Sequence, residues 1–281
     1  MRREKRIVEL PGRPALEIID QGYPNGTPLV LLHGVTDSCR SFDLAMKYFP
    51  QTVRAISVSH RGHGGSDKPE NGYTSSEYAK DLLALLDFLG LEAPVIAGHS
   101  MGSMTASRFA FENPGRVSGL ALISAFGTFA DKVGIREFLE QGILPLEDPI
   151  DPAFVREFQE STFSRPIPEH FFETIVGESL KVPARIWKAA CSSFFDDDVF
   201  GQLSGIKARA LLIWGDEDAY SSRSDQEILL DAIRGSRLKI YQGTGHAPHW
   251  EEPERFARDV VNFVTTVEVT KKIETEAVGV V

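Results

Sequence analysis

Short apolar runs alternate with longer amphipathic segments along most of this chain, and that alternation limits the folds open to it. Strands that are apolar on both faces and alternate with helices are typical of parallel sheets covered on both sides. An opening pair of short runs, "RIVEL" and "ALEIID", joins at Pro11-Gly12 and predicts a hairpin. We therefore predict an α/β fold with a mostly parallel, twisted sheet and helices on both faces. The strand-length runs after the hairpin are "TPLVLLHG", "VRAISVS", "APVIAGHS", "VSGLALIS", "ARALLIWG" and "RLKIYQG".

The alternation stops after Ser124 and resumes at the run "ARALLIWG". The segment between them holds 11 of the chain's 18 phenylalanines and shows no convincing strand. Such a segment predicts a helical cap inserted into the sheet domain. Its helical stretches lie near 131–141, 152–162, 168–179 and 183–192. The predicted units are a core of 1–125 and 206–270, a helical cap of 126–205 and a flexible tail of 271–281.

Composition narrows the classes of function. Lys and Arg number 30 against 40 Asp and Glu, and the resulting net charge of −10 disfavours nucleic acid and anionic membranes as partners. Cys39 and Cys191 lie far apart, which argues against a disulfide framework or a thiolate zinc site. No run of about 18 apolar residues predicts a membrane span, and no apolar leader follows the basic start. We expect a cytoplasmic enzyme, and the sequence does not predict its oligomeric state.

A serine between two glycines stands where one apolar run gives way to a helical pattern. The stretch from Gly98 to Gly102, "GHSMG", fits G-x-S-x-G, with a buried strand before it and a helix after it. Such a turn strains the backbone at Ser100, and the residues two before and two after must be very small because they crowd each other. The hydroxyl then stands beside the free N–H groups of the helix. A glycine-rich turn without catalysis shares this pattern, so other residues must decide.

A catalytic serine needs a histidine to take its proton and a carboxylate to orient that histidine. Candidates for both follow later strands: Asp216, Glu217 and Asp218 come after "LLIWG", and His246 and His249 come after "KIYQG". Both loops leave the carboxyl ends of parallel strands, the edge where sites of open α/β sheets lie. The position just after the loop glycines favours His246, whereas His249 has the place of a wall residue.

With these motifs in place, the sequence resembles the α/β-hydrolase fold superfamily, and within it the capped serine hydrolases of the esterase, haloperoxidase-like and carbon–carbon bond hydrolase group. The similarity covers about 29–263, and the order serine, aspartate, histidine is that of the family. One departure is Ser59, which stands where relatives often have an aspartate before the "RGxGxS" turn. The remaining matches are "HG" at His33-Gly34, "RGHGGS" at 61–66, "WGDED" at 214–218 and "GH" at Gly245-His246.

The resemblance implies a role for each of five residues. Ser100 is the nucleophile, His246 the general base and Asp218 the triad acid, and the backbone N–H groups of Val35 and Met101 form the oxyanion hole. Haloalkane dehalogenases and epoxide hydrolases resemble this chain too, but the serine disfavours both because they use an aspartate nucleophile. No cofactor is implied, and no histidine has H-E-x-x-H or comparable spacing, so we expect no metal.

The aromatic cap predicts a partly apolar substrate pocket. We expect His33, Phe126, Trp187 and His249 at this pocket, although most aromatics of the cap would pack against one another. The expected activity is cofactor-free cleavage of carboxylic esters or lactones of small to medium, partly apolar substrates through an acyl-enzyme.

Two alternatives stay open. A carbon–carbon bond hydrolase of an aromatic-degradation pathway uses the same triad, and a cap cation that binds the substrate's carboxylate would favour it. A ligand-binding receptor that retains hydrolase motifs is the other, although a binding protein has no physical need for all three triad residues. The candidate cap cations are Arg165, His170, Arg185 and Lys188.

Overall fold

The structure, a computed structural model, describes residues 2–129, 131–197 and 199–278, with side chains to residue 270. Its strands are β1 (Arg3–Val8), β2 (Leu16–Gln21), β3 (Thr27–Leu32), β4 (Val53–Val58), β5 (Val95–His99), β6 (Gly119–Ile123), β7 (Arg209–Gly215) and β8 (Arg237–Tyr241). All eight form one sheet in the order β1-β2-β4-β3-β5-β6-β7-β8. β2 pairs antiparallel with β1 and β4, and every other neighbouring pair is parallel. The predicted hairpin and mostly parallel sheet are confirmed.

Helices cover both faces of this sheet. They are α1 (Asp43–Met46), α2 (Ser75–Phe88), α3 (Met101–Glu112), α4 (Val133–Phe138), α5 (Pro152–Glu160), α6 (Glu169–Ser179), α7 (Ala184–Asp196), α8 (Arg223–Ala232), α9 (Pro248–Glu251) and α10 (Pro253–Val278). Two of the long ones begin at side-chain caps: Thr74 accepts from the Glu77 N–H, and Ser222 and Asp225 form a reciprocal capping box.

The central strand β3 shows why its sequence is apolar throughout. Val30 and Leu32 pack into a core with α2, α3 and α8, whereas Leu29 and Leu31 pack into a second core with α1 and α10 on the opposite face. Alternate side chains of one strand therefore enter different cores, and neither face is left to water. The parallel strands all end at one edge, where the loops after β3, β5, β7 and β8 meet.

Helices α4 to α7 lie between β6 and β7, as the sequence predicts, and the described part of 126–205 contains no strand. A π-helical turn, Leu139–Ile143, extends α4, and a 3-10 turn, Phe200–Gly205, follows α7. These helices pack around an aromatic cluster, in which Trp187 is fully buried and which also includes Tyr78 of α2 and Met104 of α3. That 126–205 forms a separate cap domain remains a prediction.

Two helices differ from the sequence prediction. The stretch 38–49, "SCRSFDLAMKYF", has the spacing of apolar residues that predicts a helix, but it forms only the 3-10 turn Cys39–Phe42 and the short α1. Contacts to β4 explain this, because Ser57 Oγ donates to the Cys39 carbonyl and the Cys39 N–H donates to Ser59 Oγ.

At the other end, α10 continues through Val278, within the segment predicted to be a flexible tail. Lys, Glu and Ala are good helix formers, and no proline or glycine interrupts the sequence before Gly279. Residues 279–281 of the predicted tail lie outside the described residues. Although α10 has 26 residues, neither it nor any other described helix is long and apolar enough to cross a membrane.

Candidate active site

Ser100 occupies a strained turn between β5 and α3. Its φ of 52° and ψ of −116° lie in a region that residues with a side chain rarely adopt. A Cβ on Gly98 would lie 2.2 Å from the Gly102 carbonyl oxygen, and one on Gly102 would lie 2.3 Å from the Leu32 carbonyl oxygen. The crowding that the sequence predicts for both glycines is therefore present, and it fixes the Ser100 backbone at the start of the helix.

His246 and Asp218 meet in the loops after β8 and β7. His246 Nδ1 lies 2.9 Å from both carboxylate oxygens of Asp218. Asp218 also accepts from the Tyr220 N–H at 2.9 Å and from the Ser221 hydroxyl at 2.7 Å. Burial by itself would raise the pKa of Asp218, but His246 and these hydrogen bonds hold that pKa below its usual range. Asp218 thus stays ionised and keeps the proton of His246 on Nδ1.

Ser100 and His246 both line one cavity. No hydrogen bond joins the side chains of these two described residues. His99, the residue before the serine, donates from Nε2 to the His246 carbonyl at 2.8 Å. This contact ties the histidine loop to the nucleophile turn. The sequence placed Ser100, Asp218 and His246 in one site, and the fold brings all three to the same edge of the sheet.

The loop after β3 packs directly on the serine turn. A Cβ on Gly34 would lie 2.9 Å from His99 Nδ1 and 3.4 Å from Ser100 Cβ, so only glycine permits this approach. Val35, the next residue, lines the cavity. Within the described chain, the backbone N–H groups of Val35 and Met101 donate to no other group. Both N–H groups are thus free of protein acceptors, and their role as the oxyanion hole remains a prediction.

The cavity above Ser100 has a largely aromatic wall. Helices α4, α5 and α7, together with the chain after β6, supply most of it, and Tyr220 and Trp250 complete it. The Tyr220 ring lies 5.0 Å from the His246 ring, centroid to centroid. Such a wall suits an apolar group next to the nucleophile. Its phenylalanines are Phe126, Phe129, Phe138, Phe158, Phe194 and Phe195.

Of the four side chains expected at the pocket, only Phe126 lines it. His33 instead braces its own loop, donating from Nδ1 to the Gly34 carbonyl at 2.7 Å and accepting from the His60 N–H at Nε2. His249 is buried below the cavity and hydrogen-bonds Ser41 Oγ at 3.1 Å. Trp187 packs against the Phe158 ring inside the cap core. His33, His249 and Trp187 therefore pack inside the protein, because the loops and the cap also need buried side chains.

Ser59 has a carboxylate partner that sequence reasoning missed. Glu17 on β2 accepts from the Ser59 hydroxyl at 3.2 Å and from the Gly65 N–H at 3.1 Å. It also pairs with Lys5 at 2.7 Å. The carboxylate absent from position 59 is thus supplied by a neighbouring strand. The available signal was Glu17, which stands between apolar residues in the run "ALEIID".

A second group missed by sequence reasoning is the pair Asp37 and Gln159, which we call the polar corner of the cavity. Gln159 Nε2 lies 2.8 Å from Ser179 Oγ, 3.1 Å from Thr36 Oγ1 and 3.2 Å from Asp37 Oδ1. Ser41 Oγ donates to Asp37 Oδ2. Burial raises the pKa of Asp37 to about 7, although these hydrogen bonds oppose the shift. Nothing in the sequence signals a contact between residues 122 positions apart.

Buried histidines surround this edge of the sheet. Burial lowers the pKa of His60 and His99 to about 3 and that of His63 to about 4. The unfolded chain takes up these protons near pH 6.5, so the free energy of unfolding falls as pH drops below that value. From pH 7 to pH 5 each of these three histidines removes about 2 kcal/mol, and the raised pKa of Asp37 returns about 2 kcal/mol. Burial also lowers the pKa of His33 and His249, so both add to the loss. Urea unfolding at both pH values measures the expected net loss, which is more than about 3 kcal/mol.

A matched pair of variants tests whether the buried histidines cause this loss of free energy of unfolding. His63→Gln is expected to reduce the loss between pH 7 and pH 5 by about 2 kcal/mol, whereas His170→Gln, at an exposed position, leaves it unchanged. Equal stability at the two pH values in the wild-type protein contradicts the expectation.

Comparison with known proteins gives a consistent family assignment. The non-heme chloroperoxidase of Streptomyces lividans is 27% identical over 267 residues, which cover 87% of this chain and 94% of the relative. The structure of an esterase from Exiguobacterium antarcticum superposes with a TM-score of 0.84 at 23% identity and covers 93% of this chain and 100% of its own. A bromoperoxidase from Bacillus anthracis gives a TM-score of 0.83 at 21% identity, with 93% and 100% covered.

At these identities the two structures establish the fold alone. The alpha/beta hydrolase family model matches residues 29–259, more than half of the chain. The described residues include no group of three side chains placed to hold a metal ion. The chain belongs to the alpha/beta hydrolase family.

Proposed function

We propose that the protein is a cofactor-free serine hydrolase that cleaves carboxylic esters or lactones through an acyl-enzyme. The observation that carries the proposal is the bond from His246 Nδ1 to both oxygens of Asp218, with Ser100 and His246 in one cavity. Because Nδ1 holds the proton, Nε2 of His246 is left as an acceptor. This is the nitrogen that a general base would turn toward the serine.

The proposed reaction starts when Ser100 Oγ attacks the substrate carbonyl carbon and His246 Nε2 takes the serine proton. The carbonyl oxygen becomes an oxyanion, for which the Val35 and Met101 N–H groups are the proposed donors. His246 returns the proton to the leaving alcohol, and the acyl group stays on Ser100. Water, deprotonated by His246, then attacks the acyl carbon, and His246 returns this proton to Ser100 Oγ as the acid is released. Hydrogen bonds of this kind often tighten only when substrate binds, which accounts for an unbonded Ser100 side chain.

The cavity supports a small to medium, partly apolar substrate. Its lining is aromatic and aliphatic except for Ser100, His246 and a few polar side chains. An esterase and an enol-lactonase are among the similar structures, with TM-scores of 0.84 and 0.79. Ester and lactone carbonyls both suit a site that combines a nucleophile with paired N–H donors.

The carbon–carbon bond hydrolase alternative gains no support from the cap. Among the described residues that line the cavity there is no Lys or Arg to bind a substrate carboxylate. Arg165 donates to the carbonyls of Gln242 and Gly243, and Arg185 donates to those of Lys68 and Pro69. These two candidate cations are therefore committed to the backbone elsewhere.

A panel of p-nitrophenyl esters from acetate to decanoate tests the proposal, together with labelling by a fluorophosphonate probe. We expect hydrolysis with a preference for short to medium acyl chains, because the cavity wall is apolar but closed by the cap helices. The fraction of protein labelled by the probe should match the fraction of esterase activity that is lost.

Two other results point elsewhere. Labelling without hydrolysis of any of the esters would favour a specialised substrate and count against a general esterase. Neither labelling nor hydrolysis, in protein shown to be folded by circular dichroism, would contradict the enzyme assignment and favour the receptor alternative.

A further inference from the structure

The polar corner interrupts a wall that is otherwise apolar. Apart from Ser100 and the histidines, the polar side chains in the lining are Asp37, Gln159, Thr162 and Tyr220. Thr162 donates its hydroxyl to the backbone carbonyl of Gln159, and the Tyr220 hydroxyl pairs with Ser161 outside the cavity lining. Among the side-chain atoms of these four residues, Gln159 Oε1 is the buried one without a hydrogen-bond partner in the described chain; of the histidines in the lining, His99 Nδ1 is unpartnered too.

Only one end of the Gln159 amide is hydrogen-bonded to described residues. Its amide nitrogen faces three oxygens, on Thr36, Asp37 and Ser179, and these contacts fix the orientation of the amide. The opposite atom, Gln159 Oε1, is buried and accepts no hydrogen bond from any described residue. The side chain as a whole is only 1% exposed. Both oxygens of Asp37 already accept, one from Gln159 and the other from Ser41.

A buried acceptor without a donor is costly, and folded proteins rarely leave one in place. A wall residue of a binding cavity can leave an acceptor free when the ligand supplies the donor. We propose that Gln159 Oε1 accepts a hydrogen bond from a hydroxyl group of the substrate, carried on the portion that fills the cap cavity. This inference rests on the proposed function, because it specifies the substrate of the same site.

The surrounding charges select the kind of group. Asp37 contacts the amide nitrogen of the same Gln159 side chain, and the negative charge of Glu178 on α6 also acts on Asp37. When Asp37 is ionised, a substrate carboxylate would therefore meet repulsion at the polar corner. An uncharged donor costs little to bury once it is paired. The remaining wall is apolar, so the favoured substrate is a largely aliphatic or aromatic ester with one hydroxyl group away from the scissile bond.

The test uses ethyl hexanoates and hexyl acetates in which a hydroxyl group is moved one carbon at a time along the six-carbon chain. Each is paired with the methyl-branched ester of the same shape, and hydrolysis is followed by pH-stat titration. In the wild-type protein we expect at least one position where the hydroxyl ester exceeds its methyl partner about 10- to 100-fold in kcat/KM. Equal rates for every pair overturn the proposal, and this result needs no variant.

Gln159→Met locates the effect, because methionine keeps the length of the side chain and removes the acceptor. We expect the hydroxyl-to-methyl ratio to fall below about threefold. Gln226→Met is the matched control, since Gln226 is equally buried and also has an unpartnered amide oxygen but lies outside the cavity lining. That variant should keep the wild-type ratio. A ratio that survives Gln159→Met contradicts the assignment to Gln159.

Binding separates this inference from the proposed activity. Calorimetry with Ser100→Ala and the same ester pairs measures the hydroxyl preference without turnover. A preference in binding with no hydrolysis by the wild-type protein would overturn the esterase proposal and uphold the polar corner. Hydrolysis of the esters with no hydroxyl preference in rate or in binding would uphold the esterase proposal and overturn the role of the polar corner.

Discussion

Replacing Ser100 with alanine is expected to lower kcat/KM for p-nitrophenyl esters by about 10³- to 10⁶-fold. The alanine cannot form the acyl-enzyme, and the remaining rate comes from binding and oxyanion donors alone. Packing should be kept, because the Ser100 side chain makes no hydrogen bond among the described residues and alanine removes only its hydroxyl. Initial rates and a thermal melt of the same preparations measure both effects.

Ser107→Ala supplies the control for this variant. Ser107 is also buried on α3 but does not line the cavity, so its loss should change kcat/KM by less than about twofold. A Ser100→Ala protein that keeps more than about a tenth of the wild-type activity would remove Ser100 from the mechanism.

Asp218→Asn is expected to lower kcat by about 10⁴-fold. An asparagine fits the same space but can turn its amide N–H toward His246 Nδ1, so the ring proton moves to Nε2. A protonated Nε2 cannot take the proton of Ser100. Steady-state rates with a saturating p-nitrophenyl ester measure the loss, and KM should change little because Asp218 lies outside the cavity lining.

Glu217→Gln tests whether the effect belongs to position 218. Glu217 is the exposed neighbour of Asp218, and its carboxylate takes no part in the contacts to His246. We expect near wild-type activity from this variant. A loss in Glu217→Gln equal to that in Asp218→Asn would show that the general acidity of the loop, and not the bond to His246, supports the rate.

Much of the site geometry could be predicted because a parallel sheet brings its loops together. Ser100, Asp218 and His246 follow β5, β7 and β8, and the carboxyl ends of these strands share one edge. The glycines around Ser100 were also predictable, since a short-range steric clash determines them. Chain order and local steric clashes were therefore enough to predict where these residues lie. Their catalytic roles are still predictions.

The cavity wall could not be predicted in the same way. Phe126 and Trp187 are both large aromatic residues of the 126–205 segment, yet Phe126 faces the cavity and Trp187 fills the cap core. Which of them is exposed to substrate depends on how the helices pack, and hydrophobicity alone does not distinguish the two. The contacts of Glu17 with Ser59 and of Asp37 with Gln159 likewise join distant segments through tertiary packing.

Direct detection of an acyl-enzyme tests the central claim. Wild-type protein is mixed with excess p-nitrophenyl ester, quenched in acid within milliseconds and analysed by intact-mass and peptide mass spectrometry. We expect a mass gain of one acyl group, located on Ser100 and absent from Ser100→Ala. Ester turnover with no adduct on Ser100, and with an equal rate in Ser100→Ala, would contradict the central claim.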